Sequence, residues 1–260
     1  MNYKHLRRWL KPFKPLLEMF AHTETWMAAG WAAAAQRRLK TVQWGLPPQP
    51  EHFDHHIDLY YQWSSTCNAW WLERGVFGRL ALRPGGRLLE LVCGDGFNAR
   101  YFYSARCAAV VACDFDPKAI ATARRKNAAA NISYELADIR SAMPTGTFDN
   151  IVWDAAIEHF TPVEIAGLMQ NIRARLGPGG VLSGYTIVER ADGVKSLSHH
   201  EYEFKDKMDL LRFFTPHFAN VTVFETIYPE RHNLYFWSSD GILPFDGQWP
   251  QACVHRRGQS

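Results

Sequence analysis

The chain predicts an α/β domain of the doubly wound kind, with a mostly parallel sheet between two layers of helices, and three observations predict it. From residue 80 onward short apolar segments alternate with helical ones, the pattern of repeated βα units. The first apolar segment runs into a glycine turn, Gly94-Asp95-Gly96, and from there into a helix. The last two apolar segments lie too close together for a helical crossover, so they form a hairpin and one strand is reversed.

The elements follow in order. Residues 1–50 read as an extension in which Ala28–Leu39 has strong helix formers and ends on Arg37, Arg38 and Lys40. Gly45, Pro47, Pro48 and Pro50 then break the chain. Arg87–Val92 is the first predicted strand, Phe97–Ala105 the first helix and Ala109–Cys113 the second strand. Asp116 as N-cap with Pro117 at the first helical position opens the next helix. Ile132–Glu135 and Phe148–Asp154 are strands three and four. Thr161 and Glu164 form a capping box ahead of the apolar stripe Ile165, Leu168, Met169, Ile172 and Leu176, and Gly177-Pro178 stops that helix. Val181–Val188 is strand five, Asp206–Phe214 a helix, and Val221–Thr226 with Asn233–Ser238 the closing hairpin. Leu82–Gly86 and Leu176–Gly180 share the pattern L-x-P-G-G and read as turn chemistry. The organisation expected is an extension over 1–50, a main domain over 51–245 and a C-terminal tail over 246–260.

A chain of 260 residues can bury a substantial core. The net charge of +3 is unevenly placed. Residues 1–50 hold eight Lys/Arg against Glu18 and Glu24, a net of +6, which leaves −3 for the rest. The main body is therefore not a basic surface for nucleic acid, and the positive excess belongs to the extension. Seven of the ten tryptophans precede residue 72, so the extension either packs over the core or a second copy of the chain, or touches a membrane surface. Five cysteines show no C-x-x-C pair and no metal-ligand spacing, which predicts reduced, buried thiols in a cytoplasmic protein. The apolar run Trp26–Ala35 is too short to cross a bilayer.

Gly94 to Ala99 matches G-x-G-x-x-A, a fingerprint that serves nicotinamide dinucleotides as well as other nucleosides. Three features favour S-adenosylmethionine (SAM) over NAD. Glu90 lies within strand one, where a carboxylate opposes a pyrophosphate and welcomes a methionyl ammonium. Asp138 follows strand three, where an acidic side chain can accept from an adenine amino group. Leu176–Gly180 precedes strand five, and the late hairpin follows. Asp114, twenty positions past Gly94, ends strand two, where a carboxylate accepts from ribose hydroxyls.

Taken together, residues about 84–240 resemble a class I SAM-dependent methyltransferase. The resemblance is carried by Leu89 to Gly96, Asp114-Phe115-Asp116-Pro117, Ala137-Asp138-Ile139, Phe148 to Asp154 through Ile157-Glu158-His159-Phe160, and Leu176–Gly180. It implies a Rossmann-like sheet of seven strands with a reversed last strand. It also implies that Glu90, Gly94 and Gly96 hold the methionyl end, Asp114 the ribose, and Asp138 and Ile139 the adenine. Cys93, Phe115 and Asp154 flank these positions and complete the expected cofactor set. One departure stands out: the family often has a glycine where this chain has Val92, and a side chain there narrows the room beside the cofactor.

Methyl transfer from a sulfonium is an in-line displacement in which positioning is worth about 7–11 kcal/mol. An oxygen or nitrogen acceptor can also need a general base, worth about 10²–10⁴ in rate. The acceptor enters beyond the carboxyl ends of strands four and five, where Glu158 and His159 lie. His199 and His200 follow strand five in a polar loop beside Glu201 and Tyr202, and His200 is the first candidate for the base, ahead of His159. No metal site is expected, because adjacent residues such as His199, His200 and Glu201 point apart in an extended chain. Tyr60, Tyr61 and Trp63 either close over the sulfonium, a cation–π contact worth about 0.5–2 kcal/mol, or pack the arm. Arg231 and His232 either meet an anionic acceptor or lie in a solvated loop. Asp154-Ala155-Ala156-Ile157 is not the N/D-P-P-Y/F sequence that marks amino-group enzymes acting on adenine or glutamine.

The sequence thus predicts a SAM-dependent methyltransferase acting on an oxygen or nitrogen of a small-molecule, sugar or lipid-linked acceptor, with its arm covering the acceptor pocket or supporting a homodimer. Two rivals use the same residues: an NAD(P)-dependent oxidoreductase, and a SAM-fold binding module without turnover.

Overall fold

The computed structural model describes residues 11–44, 70–228, 231–244 and 253–256. The chain divides into two compact units, Met1–Asn68 and Ala69–Ser260. The boundary expected after residue 50 lies outside the described residues, as do Tyr60, Tyr61 and Trp63.

In the first unit a 3₁₀ turn, Lys11–Phe13, leads into helix α1, Lys14–Trp44. This helix is far longer than the Ala28–Leu39 expected. The alanine-rich run propagates it, and a Lys14–Glu18 pair at 3.4 Å supports its first turn. Thr23 and Thr25 fold their hydroxyls back onto the carbonyls of Met19 and Ala21, so neither breaks the ladder. No helix among the described residues is long and apolar enough to cross a membrane.

The second unit begins with α2 (Trp70–Leu80) and β1 (Arg87–Leu91). Then come β2 (Ala109–Asp114), α3 (Pro117–Lys126), β3 (Ile132–Leu136), α4 (Ile139–Ala142) and β4 (Phe148–Asp154). It continues with α5 (Pro162–Arg175), β5 (Leu176–Ile187), α6 (Lys207–Leu211) and β6 (Asn220–Tyr228), and ends with β7 (Arg231–Ser239) and β8 (Cys253–Arg256). The sheet order is β3-β2-β1-β4-β5-β7-β6-β8. Strands β1 to β5 pair in parallel, and β7 runs antiparallel to both β5 and β6. All seven expected strands are present, with β7 as the reversed one. The eighth strand, β8, lies in the segment expected to be a tail. It is four residues long, pairs antiparallel with β6 and carries no alternating apolar pattern that sequence could show.

Leu88, Leu89 and Leu91 of β1 are fully buried, as suits a strand covered on both faces. One face packs Leu89, Ile151 and Trp153 against the α5 stripe of Ile165, Leu168, Met169 and Ile172. The other packs Leu88, Val110 and Ala112 against Tyr103, Ile120 and Ala123. Both predicted caps form: Asp116 accepts from the Lys118 N–H, and the Thr161–Glu164 capping box is complete. Two further elements differ from expectation. The helix after the glycine turn contains a π turn, Ala99–Tyr103, in which the Ser104 N–H reaches back five residues to the Ala99 carbonyl. Strand β5 starts at Leu176 because that residue pairs with Phe148 before the ladder resumes at Asn150 and Val181.

Because β2 and β4 flank β1, the chain leaves β1 toward one edge and later returns to its other side. The switch lies between β1 and β4, and a crevice opens there at the carboxyl ends of the strands.

Candidate functional site

The glycine turn sits at that switch point. Gly94 has φ +56° and Gly96 φ +74°, conformations that a side chain makes costly. A Cβ on Gly94 would meet nothing within 4 Å, so open space lies beside this backbone. A Cβ on Gly96 would lie 2.5 Å from the Tyr134 hydroxyl. That phenol packs behind the turn, 2.8 Å from the Asn127 carbonyl and 3.3 Å from the Gly96 carbonyl. The Asn127 amide in turn donates to the Asp95 carbonyl at 2.7 Å. The turn is therefore braced from β3 and from the end of α3.

Val92 has φ +55°, in the left-handed region. For a β-branched residue this is a strained outlier, which costs about 1–3 kcal/mol. The backbone conformation itself thus explains why a glycine suits this position. The departure noted in the sequence is a matter of strain as well as of room.

Glu90, on β1, is 2% exposed, and its Oε2 accepts no hydrogen bond. Burial, reinforced by the charge of Asp154, holds its carboxyl well above the usual range, while Arg74 acts in the opposite sense. Asp154, at the end of β4, pairs with Arg74 Nε at 3.1 Å and accepts from the Asn98 amide at 3.1 Å. Asp114 is fully buried: Oδ2 accepts from the Gly94 N–H at 2.9 Å and Oδ1 from the Asp116 N–H at 2.8 Å. Cys93 is half-buried, and burial pushes its thiol up. Cys93, Cys107 and Cys113 are free thiols.

Phe115 follows β2 and is 55% exposed, an apolar ring left at the crevice edge. Asp138 caps α4, accepting from the Arg140 N–H at 3.0 Å, and its carboxyl is lowered chiefly by the Arg140 guanidinium. Ile139 is buried at 3% exposed, so its side chain serves the core. A cationic, apolar-edged nucleoside such as SAM fits what is present: an unsatisfied buried carboxylate, open space beside a glycine backbone, and an exposed ring.

The residues expected to meet an acceptor lie just after β4 and in the loop after β5. Glu158 is 4% exposed, Oε2 accepts from the Thr186 hydroxyl at 2.9 Å, and burial pushes its carboxyl up. Its carbonyl accepts from the Glu201 and Tyr202 N–H groups at 2.8 and 3.1 Å, which ties the loop to the end of β4. His200 is 2% exposed, with Nδ1 2.5 Å from Glu203 Oε1, whereas His159 is half-buried. Burial lowers the His200 pKa. His199 and His200 sit in a turn in which the His200 N–H bonds to the Leu197 carbonyl, not in the extended chain that was expected. Both rings therefore reach His159, at 4.9 Å between centroids in each case. Arg231 and His232 lie in β7, not in a loop: Arg231 donates to Tyr185 and Asn233, and His232 Nε2 lies 2.8 Å from Glu225.

Sequence reasoning missed Arg74, Asn98 and Tyr134. Arg74 and Tyr134 belong to no motif, Asn98 occupies an unspecified position of the glycine motif, and each reaches the site from a separate element. A cavity of about 370 Å³ lined by Ala81, Asp149 and Gly180 lies at the amino ends of the strands, away from these groups.

Residues 88–180 match the family model described as a methyltransferase domain. An uncharacterized methyltransferase of Synechocystis sp. is 30% identical over 104 residues, 40% of this chain and 48% of that protein. A ribosomal protein L11 methyltransferase of Burkholderia ambifaria is 32% identical over 133 residues, 49% of this chain and 39% of that protein. The chain thus spans less than half the length of these curated relatives. Among solved structures, the N-methyltransferase NodS from Bradyrhizobium japonicum WM9, in complex with S-adenosyl-L-homocysteine, aligns with a TM-score of 0.53 at 19% identity. That alignment covers 70% of this chain and 92% of NodS.

Proposed function

We propose that this chain is a class I SAM-dependent methyltransferase that transfers a methyl group from SAM to an oxygen or nitrogen of a small-molecule, sugar or lipid-linked acceptor, a reading supported by its fold and by the methyltransferase-domain match over residues 88–180. The observation that carries the reading is Glu90: a buried carboxylate with an unused oxygen, at the switch point and one turn from Gly94. Such a group is costly to keep unless a cation is brought to it. The same charge disfavours the pyrophosphate of a nicotinamide dinucleotide.

When bound, SAM supplies an electrophilic methyl group on a sulfonium. Glu90 accepts from the methionyl ammonium, the Gly94 backbone lets the ligand approach, Asp114 accepts from the ribose, and Phe115 covers an apolar edge of the nucleoside. Asp154 acts through Arg74 and Asn98, closing the crevice floor beside Glu90. Of the groups at the acceptor end, His159 is assigned as the proton acceptor because it is less buried than His200 and Glu158. His200 is buried with Nδ1 held by Glu203, and Glu158 is held by Thr186. This reading puts His159 ahead of His200, the opposite of the order expected from sequence.

The test is a methyl-transfer assay with SAM and four acceptor pools: small alcohols and amines, soluble glycans, lipid-linked glycans and ribosomal protein. Release of S-adenosyl-L-homocysteine with one of the first three supports the reading. Turnover with ribosomal protein alone would favour a protein acceptor, the substrate that the L11 relatives carry in their name.

A further inference from the structure

We propose that His159, His199 and His200 form a site for one divalent transition-metal ion, zinc foremost, with Glu203 as its outer carboxylate. Each histidine offers one ring nitrogen, and these nitrogens lie within 4.8 Å of one another. Nitrogens bound to a tetrahedral zinc at about 2.0–2.1 Å lie about 3.3 Å apart. An imidazole binds a metal in its own ring plane, so His159 or His199 must also turn out of their parallel stack for both to face one ion.

Two elements separate in sequence converge to make the cluster. His159 ends the 3₁₀ turn Ile157–His159 after β4, and the other two come from the loop after β5. The His159 and His199 rings stack at 4.9 Å, and His200 meets His159 edge-on. His200 has the second partner that metal-binding imidazoles characteristically have. Its Nδ1 faces Glu203 at 2.5 Å, which fixes the ring and directs Nε2 to an ion. Glu203 is held in place by the Ser196 N–H at 2.7 Å. Lys195 donates to the His200 carbonyl, and Glu158 holds the residues after it. The loop is thus built before any ion arrives.

Three neutral imidazoles without a carboxylate ligand suit zinc and its neighbours. Magnesium and calcium ask for oxygen donors. The buried Glu158 carboxylate close by offsets part of the ion's charge. Three protein ligands leave a fourth position, at the carboxyl ends of β4 and β5, for water or an acceptor oxygen. A ligated imidazole no longer accepts a proton, so metal occupancy and proton acceptance by His159 exclude one another.

Ion binding at this cluster is tested without methyl transfer. Full-length, chelator-treated protein is titrated with zinc chloride by calorimetry and with cobalt(II) by visible absorption. The expected result is one zinc per chain and cobalt bands typical of nitrogen ligands, both lost in His199→Ala, whose half-buried ring can be removed without opening the core. Glu203→Gln keeps all three ligands and weakens zinc about 10–100-fold. Thermal melts of the metal-free variants establish that they fold. No zinc uptake by the wild type overturns the proposal. So does uptake unchanged in His199→Ala and in His159→Ala, or a cobalt spectrum with thiolate charge-transfer bands.

Discussion

Asp114 accepts the Gly94 backbone N–H at 2.9 Å, so the acid that ends one strand holds the glycine turn that ends its neighbour. The other oxygen of the same carboxylate takes the Asp116 N–H at 2.8 Å. Asp114→Ala should therefore weaken SAM by about 1.5–3 kcal/mol and also lower stability, because two backbone N–H groups lose their acceptor. Asp114→Asn keeps one acceptor but turns an amide donor against an N–H. Titration and chemical unfolding of both variants check this. Unchanged affinity in a folded Asp114→Ala protein contradicts the ribose role.

Glu90→Gln should separate stability from function. The Glu90 carboxyl is raised in the folded state above its ordinary 4.5. Ionisation is therefore easier in the unfolded chain, and stability from this group falls as pH rises from about 4.5 through the raised folded value. Glutamine removes that loss. We expect the variant to be more stable at neutral pH by about 1–3 kcal/mol, with a flatter dependence of stability on pH above 4.5. It should bind SAM far more weakly. Unfolding curves across pH, with and without SAM, read both effects.

The two glycines of the turn should respond differently to alanine. Gly94→Ala meets open space and carries only the left-handed strain of about 1–2 kcal/mol, yet its methyl group enters the ligand's approach and should abolish SAM binding. Gly96→Ala adds a clash with the Tyr134 hydroxyl at 2.5 Å and should lose more stability than Gly94→Ala. Equal destabilisation of the two would contradict this account of the turn.

Val92→Gly trades strain for burial. Relief of the left-handed strain, about 1–2 kcal/mol, is offset by lost packing and by the entropy of the added glycine. The net change in stability should stay within about 1 kcal/mol, whereas an ordinary Val→Gly change in a strand is clearly destabilising. Chemical unfolding measures it.

His159→Gln should lower kcat by about 10²–10⁴ once an acceptor is in hand, with SAM affinity unchanged. A variant that lost SAM affinity in proportion to rate would show a structural role instead.

The clustering of the proposed cofactor residues was legible because it is local. Glu90, Gly94, Gly96 and Asp114 fall within one βαβ unit, and a strand, a turn and an acid at a strand end can be read from order alone. The acceptor half was not. His159 and the His199–His200 pair lie 40 positions apart and meet only because the loop after β5 bends and is tied to the Glu158 carbonyl. The Arg74–Asp154 pair spans 80 positions and belongs to no motif. The π turn after Asn98 and the edge strand β8 depend on what they pack or pair against, which periodicity does not carry.

Calorimetric titration of the full chain with SAM, with S-adenosyl-L-homocysteine and NAD run alongside, tests the central claim most directly. The account predicts saturable binding of both sulfur nucleosides, none of NAD, and loss of both signals in Glu90→Gln. Binding of NAD, or failure of a folded wild-type chain to bind either sulfur nucleoside, would contradict it.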